Sequence, residues 1–463
     1  MDKQSFSRYG GIVIVVIILS MMIAFATPFG SFVVNGVKDV LGNFNSTGGN
    51  AMDNDYGDIV DFPYPGTGSG GNNGGSGGSG GSGSGSEEQT IAAGLYETGS
   101  NYTVLLASWE DLLADGTVHV ENGVVYTNFD TDAWETASAD ALAGDLMLPN
   151  DGSITALGNL AWDDTIYNEE WDEYGAYTGN AAFTYCYNLT GIVIPDSVVT
   201  ISASAFECCE SLHSINIPAG ITTIGYYAFS LCGITSIEIP DSVITMDSAA
   251  FDSCTSLESI TFGENSQLTS IGDYVFTNCE ALTSIEIPDG VTSIGDYAFA
   301  DCTALTSITI PDSVTTIGYY VFGSCTSLES ITFGENSQLT SIGEQAFVGC
   351  RKLTHIEIPA SVTTIGSCAF KDSPVLATVT FRENSQLTTI DGWAFDHCEA
   401  LTNITIPESV TSIGDGAFIG CTSLTSIIFE GTVAQWNAIS KGDYWHPHYT
   451  TTVTCSDGTV TLN

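Results

Sequence analysis

Basic side chains are the scarcest feature of this 463-residue sequence, which has 8 Lys and Arg against 55 Asp and Glu. The formal net charge is −47, and no Lys or Arg occurs between Lys38 and Arg351. Such a surface repels the phosphates of nucleic acids and anionic lipids, so the composition argues against a nucleic-acid partner. Solubility of an exported protein is the simplest account of the charge, and attraction of cations or basic partners is the alternative. Arg351, Lys352, Lys371 and Arg382 are expected to balance local charge.

Paired cysteines are also missing. The first 185 residues contain no cysteine, and the 13 that follow lack the paired spacings of a disulfide framework or a zinc site. The sequence therefore predicts free thiols and no metal bound through cysteine. So many thiols in an exported protein point to a reducing habitat.

Long apolar runs are missing after residue 37. Before that point, Lys3 and Arg8 precede an uncharged span from Tyr9 to Val37 that is long enough to cross a bilayer. Basic residues on this side favour a cytoplasmic N-terminus and extracellular placement of the rest. We expect a retained single-pass transmembrane helix, whereas cleavage near Ala26 would release a secreted protein. A pilin-like helix is a further alternative, but the glutamate typical of type IV pilins is absent.

What the sequence does contain is a repeat. Phenylalanine recurs eleven times at steps of 22 to 25 residues, and a period of this length predicts a repeat solenoid. Because solenoids present extended surfaces, the repeat favours recognition over catalysis. The phenylalanines are Phe183, Phe206, Phe229, Phe251, Phe276, Phe299, Phe322, Phe347, Phe370, Phe395 and Phe418.

One repeat predicts one coil of strand, bend and short helical turn. Ile285 and Ile287 alternate with polar residues as in a half-buried strand, and Pro288 ends that strand because it has no N–H to donate. Gly295 is expected to permit a bend, and Phe299 to Leu305 has the spacing of a helical or 3₁₀ turn. Three steps of 25 residues carry the same loop insert, at Gly263–Leu268, Gly334–Leu339 and Arg382–Leu387.

Cysteine follows the same register. Ten of the 13 cysteines lie three residues after one of the eleven recurring phenylalanines, here called the ladder phenylalanines, and Ser373 occupies this position in the remaining repeat. A fixed core position of this kind predicts small, buried, free side chains. Cys208, Cys368 and Cys455 lie outside the register and are candidates for reactivity. The ladder cysteines are Cys186, Cys209, Cys232, Cys254, Cys279, Cys302, Cys325, Cys350, Cys398 and Cys421.

The unit from Ile310 to Ile331, Ile-Pro-Asp-Ser-Val-Thr-Thr-Ile-Gly-Tyr-Tyr-Val-Phe-Gly-Ser-Cys-Thr-Ser-Leu-Glu-Ser-Ile, resembles the leucine-rich repeat of BspA-type bacterial surface proteins. The resemblance covers roughly residues 150–430. It implies a curved solenoid displayed outside the cell, often as an adhesin. The segment Ile154–Trp162 resembles a degenerate earlier copy, and the segment from Gly431 to Leu462 is similar to the closing cap of such arrays.

These features divide the chain into five parts. Residues 1–37 form the anchor, and 38–86 form a juxtamembrane segment whose part from Gly66 to Ser86 contains only Gly, Ser, Thr and Asn, a flexible linker. Residues 87–150 are predicted to form a small capping module with a turn at Asn122-Gly123. The solenoid follows over 151–430, and a C-terminal cap over 431–463.

Candidate sites for chemistry are weak. His446-Pro-His448 near Asp443, the cluster Asp53–Asp61, and Asp163-Asp164 with the acidic residues 169–173 do not complete the ligand patterns of zinc or calcium sites. We therefore predict no catalytic residue, metal or cofactor. Tyr226-Tyr227, Tyr274, Tyr297 and Tyr319-Tyr320 are expected to form an exposed aromatic row, although repeat geometry alone would align them.

The predicted function is non-catalytic binding or adhesion at the cell surface, toward an extracellular protein or glycan. The alternative is a passive structural component, such as a pilus-like element assembled through the N-terminal helix. The predicted ligand-binding residues are the outward positions of the strand face, because each stands beside an inward apolar residue. They are Ser214, Asn216, Glu238, Glu286, Thr309, His355, Glu357, Asn403 and Thr405.

Overall fold

The computed structural model of the chain describes residues 92–99, 102–127, 129–130, 135–136, 142–159, 161–168, 173–178, 181–447 and 450–462. The predicted transmembrane segment, the Gly/Ser linker and the cluster Asp53–Asp61 lie outside these residues. Two helices occur in the described part, Trp109–Ala114 and Val433–Ala438. Neither is long and apolar enough to span a bilayer.

The predicted solenoid is confirmed, and each coil contributes up to two strands. The first, here the long strand, has four residues in most coils, and the second, the short strand, has two. The long strands are Ser236–Ile239, Ser259–Phe262, Ser307–Ile310, Ser330–Phe333, His355–Ile358, Thr378–Phe381, Asn403–Ile406 and Ser426–Phe429. The short strands are Thr200–Ile201, Thr223–Ile224, Thr245–Met246, Ser270–Ile271, Ser293–Ile294, Thr316–Ile317, Ser341–Ile342, Thr364–Ile365, Thr389–Ile390, Ser412–Ile413 and Ser440–Lys441.

The short strands lie in two sheets and pair in parallel with one another. Thr200–Ile201, Thr223–Ile224 and Thr245–Met246 belong to a six-stranded sheet, and the eight strands from Ser270–Ile271 to Ser440–Lys441 form the second sheet. Equivalent residues pair from coil to coil, as Ile294 does with Ile317. The interruption between the two sheets opens a small pocket, described below.

The long strands pair only in short groups, and proline explains where each group ends. In a full ladder, the residue after the second strand donates its N–H to the last residue of the first strand, as Gly263 does to Ile239 at 3.0 Å. Gly334, Arg382 and Glu430 do the same. Coils with Pro240, Pro288, Pro311, Pro359 or Pro407 at this position lack the donor, and no full ladder joins them to the preceding coil.

The predicted helical turn around the ladder phenylalanine is wrong in its backbone conformation. Tyr297 and Asp301, on either side of Phe299, both have φ of 57°, the left-handed region, and the segment is a run of turns. Alternate N–H groups donate to the next coil, as Phe299 does to the Val321 carbonyl at 2.9 Å, whereas Cys302 donates to the Phe299 carbonyl within the coil. The turns therefore form a third hydrogen-bonded ladder between coils. Sequence spacing could not distinguish this arrangement from a helix because both bury the same side chains.

Gly295 is required for a different reason from the one predicted. Its φ is not in the left-handed region, but a Cβ there would lie 2.3 Å from Asp273 Oδ1 and 2.7 Å from Asp273 N. Adjacent coils approach too closely at this point for a side chain.

The core is a continuous column. All eleven ladder phenylalanines are fully buried, and successive rings stack at 5.1 to 5.7 Å between centroids. All ten ladder cysteines are free and buried, as predicted. Nine of these thiols donate to the carbonyl of the ladder phenylalanine in the preceding coil, at 3.0 to 3.3 Å.

Strands before the solenoid continue its sheets. Gly94–Gly99 pairs with Tyr102–Ser108 and Gly144–Met147, and the last of these pairs with Leu189–Val193, which is followed in the sheet by Ser214–Ile215. His119–Glu121 and Val124–Tyr126 form a hairpin around Asn122-Gly123, where the turn was predicted, and Val124–Tyr126 pairs with Ala156–Leu157. A further pair is Phe129–Asp130 with Glu135–Thr136.

The degenerate repeat predicted over Ile154–Trp162 is only half present. Ile154 and Leu157 are fully buried, as coil residues would be. The chain then forms a separate hairpin of Ala161–Asn168 with Glu173–Thr178, so Trp162 lies in a hairpin strand instead of a ladder turn.

At the C-terminal end, residues after the last coil accept hydrogen bonds from its backbone N–H groups. The carbonyls of Asp443 and Trp445 accept the N–H groups of Gly416 and Phe418 at 2.8 and 2.9 Å. Trp445 packs edge-on against Phe418. The strands Thr452–Cys455 and Gly458–Thr461 extend the last long-strand sheet. These contacts close the apolar column.

Candidate binding face on the long strands

The candidate site is built by alternation along the long strands. In Ser236–Ile239 and Ser307–Ile310 the isoleucines are buried and the residues between them are exposed. Of the nine predicted ligand-binding residues, Glu238, Glu286, Thr309, His355, Glu357 and Asn403 are exposed, and Ser214, Asn216 and Thr405 are half-buried.

Cross-coil register decides which of these residues lie together. Glu286 stands opposite Thr309, and Thr309 opposite Thr332, with 2.8 Å between the last two hydroxyl oxygens. His355 and Glu357 share one strand, and Thr378–Phe381 lies between that strand and Asn403–Ile406. The predicted residues therefore form one row that runs along the solenoid and do not form a compact cluster.

Besides Thr309, two predicted residues bond to a neighbouring coil. The Asn216 amide accepts from the N–H of Ile194 at 2.9 Å and donates to its carbonyl at 3.1 Å, so its side chain extends the ladder to the preceding coil. Glu357 Oε2 lies 3.0 Å from Arg382 Nε. Sequence alternation places such residues outside but does not show whether a neighbouring coil engages them.

Arg382 joins three coils. Besides Glu357, its guanidinium donates to the carbonyls of Phe333 at 2.9 Å and Gly334 at 2.6 Å. Lys371 likewise pairs with Asp396 at 2.9 Å, which raises the pKa of the Lys371 ammonium. The local charge balance expected for these basic residues is present at Arg382 and Lys371.

Two grooves open on this face where the long-strand ladder is interrupted. One, of about 560 Å³, lies between the coils of Ser214 and Ser236, and Glu238 lines it. The other, of about 610 Å³, lies between Ser259–Phe262 and the coil of Glu286. The predicted residues Ser214, Asn216, Glu238 and Glu286 line these grooves, whereas Thr309, His355, Glu357, Asn403 and Thr405 do not.

With this geometry in place, comparison with known proteins is decisive for the family. The family model described as BspA type Leucine rich repeat region (6 copies) matches residues 177–268, 264–373 and 334–440, which together make up more than half of the chain. The chain belongs to the BspA-type leucine-rich repeat family. No curated protein matches it.

Solved structures similar to this BspA-type chain come from several bacteria. A leucine-rich repeat protein of Bacteroides ovatus is 23% identical, covers 67% of this chain and 83% of its own, and has a TM-score of 0.46. A leucine rich cell surface protein of Faecalibacterium prausnitzii is 29% identical over 56% and 70%, with a TM-score of 0.35. The pneumococcal vaccine antigen PcpA is 16% identical over 79% and 89%, with a TM-score of 0.41.

Several residues of the BspA-type face were missed by sequence reasoning. Thr261, Ser236 and Ser259 line the grooves, and Thr261 stands opposite Glu238. The alternation that selected Glu238 applies equally to these hydroxyl residues, so the same signal would have found them. The face consequently offers hydroxyl and carboxylate groups from consecutive coils.

The candidate metal ligands of the sequence were also compared with the structure. No three or more His, Cys, Asp or Glu side chains within it are arranged to hold a metal ion. His446 Nδ1 lies 3.0 Å from the Pro447 carbonyl, and His448 is outside the described residues. What the face supplies is hydrogen bonding and negative charge.

Proposed function

We propose that this chain is a non-catalytic binding or adhesion module at the bacterial cell surface, whose ligand contacts the long-strand face at the two grooves. The observation that carries the proposal is the presence of both grooves on the face where consecutive coils align outward polar side chains. Membership of the BspA-type family and the cell surface protein of Faecalibacterium prausnitzii support surface display. The apolar segment of residues 1–37 would anchor the chain, with the repeats outside the cell.

The chemistry of the grooves limits the ligand. Glu238 lines the first groove, and Glu264, Glu286 and Asp289 line the second, together with Ser and Thr hydroxyls. No Lys or Arg lines either groove. The ligand should therefore present hydrogen-bond donors or positive charge, as a hydroxyl-rich glycan or a protein segment does, and phosphate-bearing nucleic acid should not bind.

A variant that reverses charge in both grooves tests this proposal. In the full-length chain, Glu238→Lys with Glu286→Lys changes one carboxylate in each groove. The control, Glu280→Lys with Glu399→Lys, makes the same charge change at exposed turn residues outside both grooves. Each protein is tested against immobilised matrix proteins and polysaccharides.

We expect the groove variant to lose binding that the control and the unmodified chain retain. Equal loss in both variants would show a non-specific charge effect and contradict the proposed site. A chain that binds no ligand but associates with itself through residues 10–37 would favour the structural component over the binding module.

A further inference from the structure

A second exposed surface lies on the turns, away from both grooves. Tyr274 and Tyr297 stack at 4.8 Å with 9° between their rings, and Tyr297 lies 5.2 Å from both Tyr319 and Tyr320. Tyr274 is 43% exposed. These four residues are here called the tyrosine platform. Of the exposed aromatic row predicted from the sequence, the part from Tyr274 to Tyr320 is present over three consecutive coils, with Tyr274 exposed and the other three residues half-buried.

Repeat geometry aligns this row but does not explain why it is aromatic. Tyr274, Tyr297 and Tyr320 have φ of 54° to 59°, a conformation that bulky residues rarely adopt. The equivalent positions of other coils hold Ala249 and Gln345 in the same conformation. Since the fold accepts smaller or polar residues there, the solenoid does not require tyrosine at these positions.

Carboxylates are fixed beside the platform. Asp273 Oδ1 accepts the N–H of Asp296 at 2.8 Å, and Asp296 Oδ1 accepts the N–H of Tyr319 at 2.6 Å. Both carboxylates are exposed. Partial burial and, next, the charges of Asp273 and Asp296 raise the pKa of the Tyr274 phenol, which places both charges close to that ring.

A pocket adjoins the platform where the two short-strand sheets separate. It has a volume of about 370 Å³ and is lined by Asp247, Ser248 and Asp273, among others. Two residues before its ladder phenylalanine, this coil has the small side chain of Ala249, whereas the neighbouring coils have Tyr227 and Tyr274 at that position. The result is an open notch with carboxylates beside an exposed ring.

We propose that the tyrosine platform and this notch bind Lys or Arg side chains of a basic segment on a protein partner. A cation is attracted by the face of an aromatic ring and by a fixed carboxylate, and both are present within the same surface. Charge complementarity selects this occupant, because no Lys or Arg of the chain lies between Lys38 and Arg351 to neutralise Asp273 and Asp296. A neutral glycan would use the rings but not the charges. The inference does not depend on ligand binding at the long-strand face.

The test measures binding of a synthetic peptide rich in Lys and Arg to the full-length chain, with a Gly/Ser peptide and a neutral oligosaccharide as reference probes. Tyr274→Ala with Tyr297→Ala removes the stacked rings, and Ala249 shows that the backbone accepts alanine in this conformation. Asp273→Asn removes one charge and keeps an oxygen to accept the N–H of Asp296.

Two matched controls report on the rest of the surface. Trp393→Ala removes an aromatic residue that is 44% exposed and occupies the same repeat position as Tyr274 and Tyr297. Glu399→Gln removes one exposed charge elsewhere. We expect the double tyrosine variant to bind the basic peptide about tenfold more weakly, in line with cation–π energies. Asp273→Asn should weaken binding and reduce its dependence on salt, while both controls bind as the unmodified chain does.

Equal weakening by Glu399→Gln and Asp273→Asn would show attraction to the net charge alone and overturn the proposal. Oligosaccharide binding that requires the tyrosines and survives Asp273→Asn would also overturn it, in favour of a glycan. Neither result would bear on the groove variants, which change residues of a different face.

Discussion

At the scale of the residue, the ladder cysteines are hydrogen-bond donors as well as apolar core side chains. Cys254 is fully buried, and its thiol donates to the Phe229 carbonyl at 3.0 Å. Burial raises the pKa of the Cys254 thiol to about 12. It also raises the pKa of other ladder thiols, such as those of Cys186, Cys209, Cys232 and Cys279. Position in the repeat predicted burial, but only the packed coils show the acceptor.

These raised thiol pKa values predict alkaline instability. The folded chain holds the Cys254 proton more tightly than the unfolded chain, so its contribution to stability is complete below about pH 9 and is lost as pH rises above it. Above that pH, each such thiol should steepen the fall in the free energy of unfolding by about 1.4 kcal/mol per pH unit. Denaturant unfolding between about pH 8 and about pH 10.5 measures this. Cys254→Ala should show a shallower fall, and an unchanged slope would contradict the assignment.

Ser373 is the exception in the cysteine ladder and predicts a stabilising substitution. Its side chain is fully buried, and its hydroxyl has no hydrogen-bond partner among the described residues. The longer C–S bond of a cysteine would reach toward the Phe347 carbonyl, as in neighbouring coils. Ser373→Cys should therefore raise the free energy of unfolding by about 1 to 2 kcal/mol.

Chemical denaturation of Ser373→Cys beside Ser373→Ala separates the two contributions. Alanine removes the unsatisfied hydroxyl without adding a donor, so it should stabilise less than cysteine does. A cysteine variant less stable than the serine chain would show that the slot cannot accept sulfur.

At the scale of the element, a long side chain can join strands that proline prevents from pairing. Pro359 ends His355–Ile358 without an N–H donor, and this strand forms no ladder with Ser330–Phe333. The Arg382 guanidinium reaches back from the following coil to the Phe333 and Gly334 carbonyls. Arg382 thus supplies donors at the interruption.

Arg382→Ala should lower the free energy of unfolding by about 2 kcal/mol, because it removes charge-assisted hydrogen bonds to two other coils. Arg382→Lys should restore little, since one ammonium cannot reproduce the planar guanidinium. Thermal unfolding compares both with Arg351→Ala, an exposed arginine with no ion pair in the described residues. Equal effects of the two alanine variants would contradict the role of Arg382 in joining the coils.

At the scale of the whole molecule, stability is passed from coil to coil through the phenylalanine column. Phe299 lies 5.3 Å from Phe276 and 5.3 Å from Phe322, measured between ring centroids. Each coil of a solenoid contacts mainly its neighbours, so damage should remain local at first.

Phe299→Ala should destabilise the solenoid by about 3 to 5 kcal/mol, as expected for loss of a large core side chain. Hydrogen exchange should accelerate most in the coils of Phe276, Phe299 and Phe322. A uniform increase along the chain, or none, would be inconsistent with nearest-neighbour stacking.

The predicted topology has a direct test. Protease added to intact cells should cut within Gly66 to Ser86, because a segment of only Gly, Ser, Thr and Asn has no apolar side chains with which to build a core, and release a fragment that begins near Ser86. The coils should survive because each protects the backbone of its neighbours. Repeats that resist cleavage until the cells are lysed would contradict both the anchor and surface display.

The sequence by itself determined the coil, its apolar column and its outward residues, because a repeat period and two-residue alternation fix which side chains are buried. Only the tertiary structure decided how consecutive coils meet. It showed that turns replace the helical segment around Phe299, that proline divides the long-strand sheet, and that Asn216 and Glu357 have partners. The physical reason is that these hydrogen bonds join residues at least 22 positions apart, and their geometry depends on the stacking of whole coils.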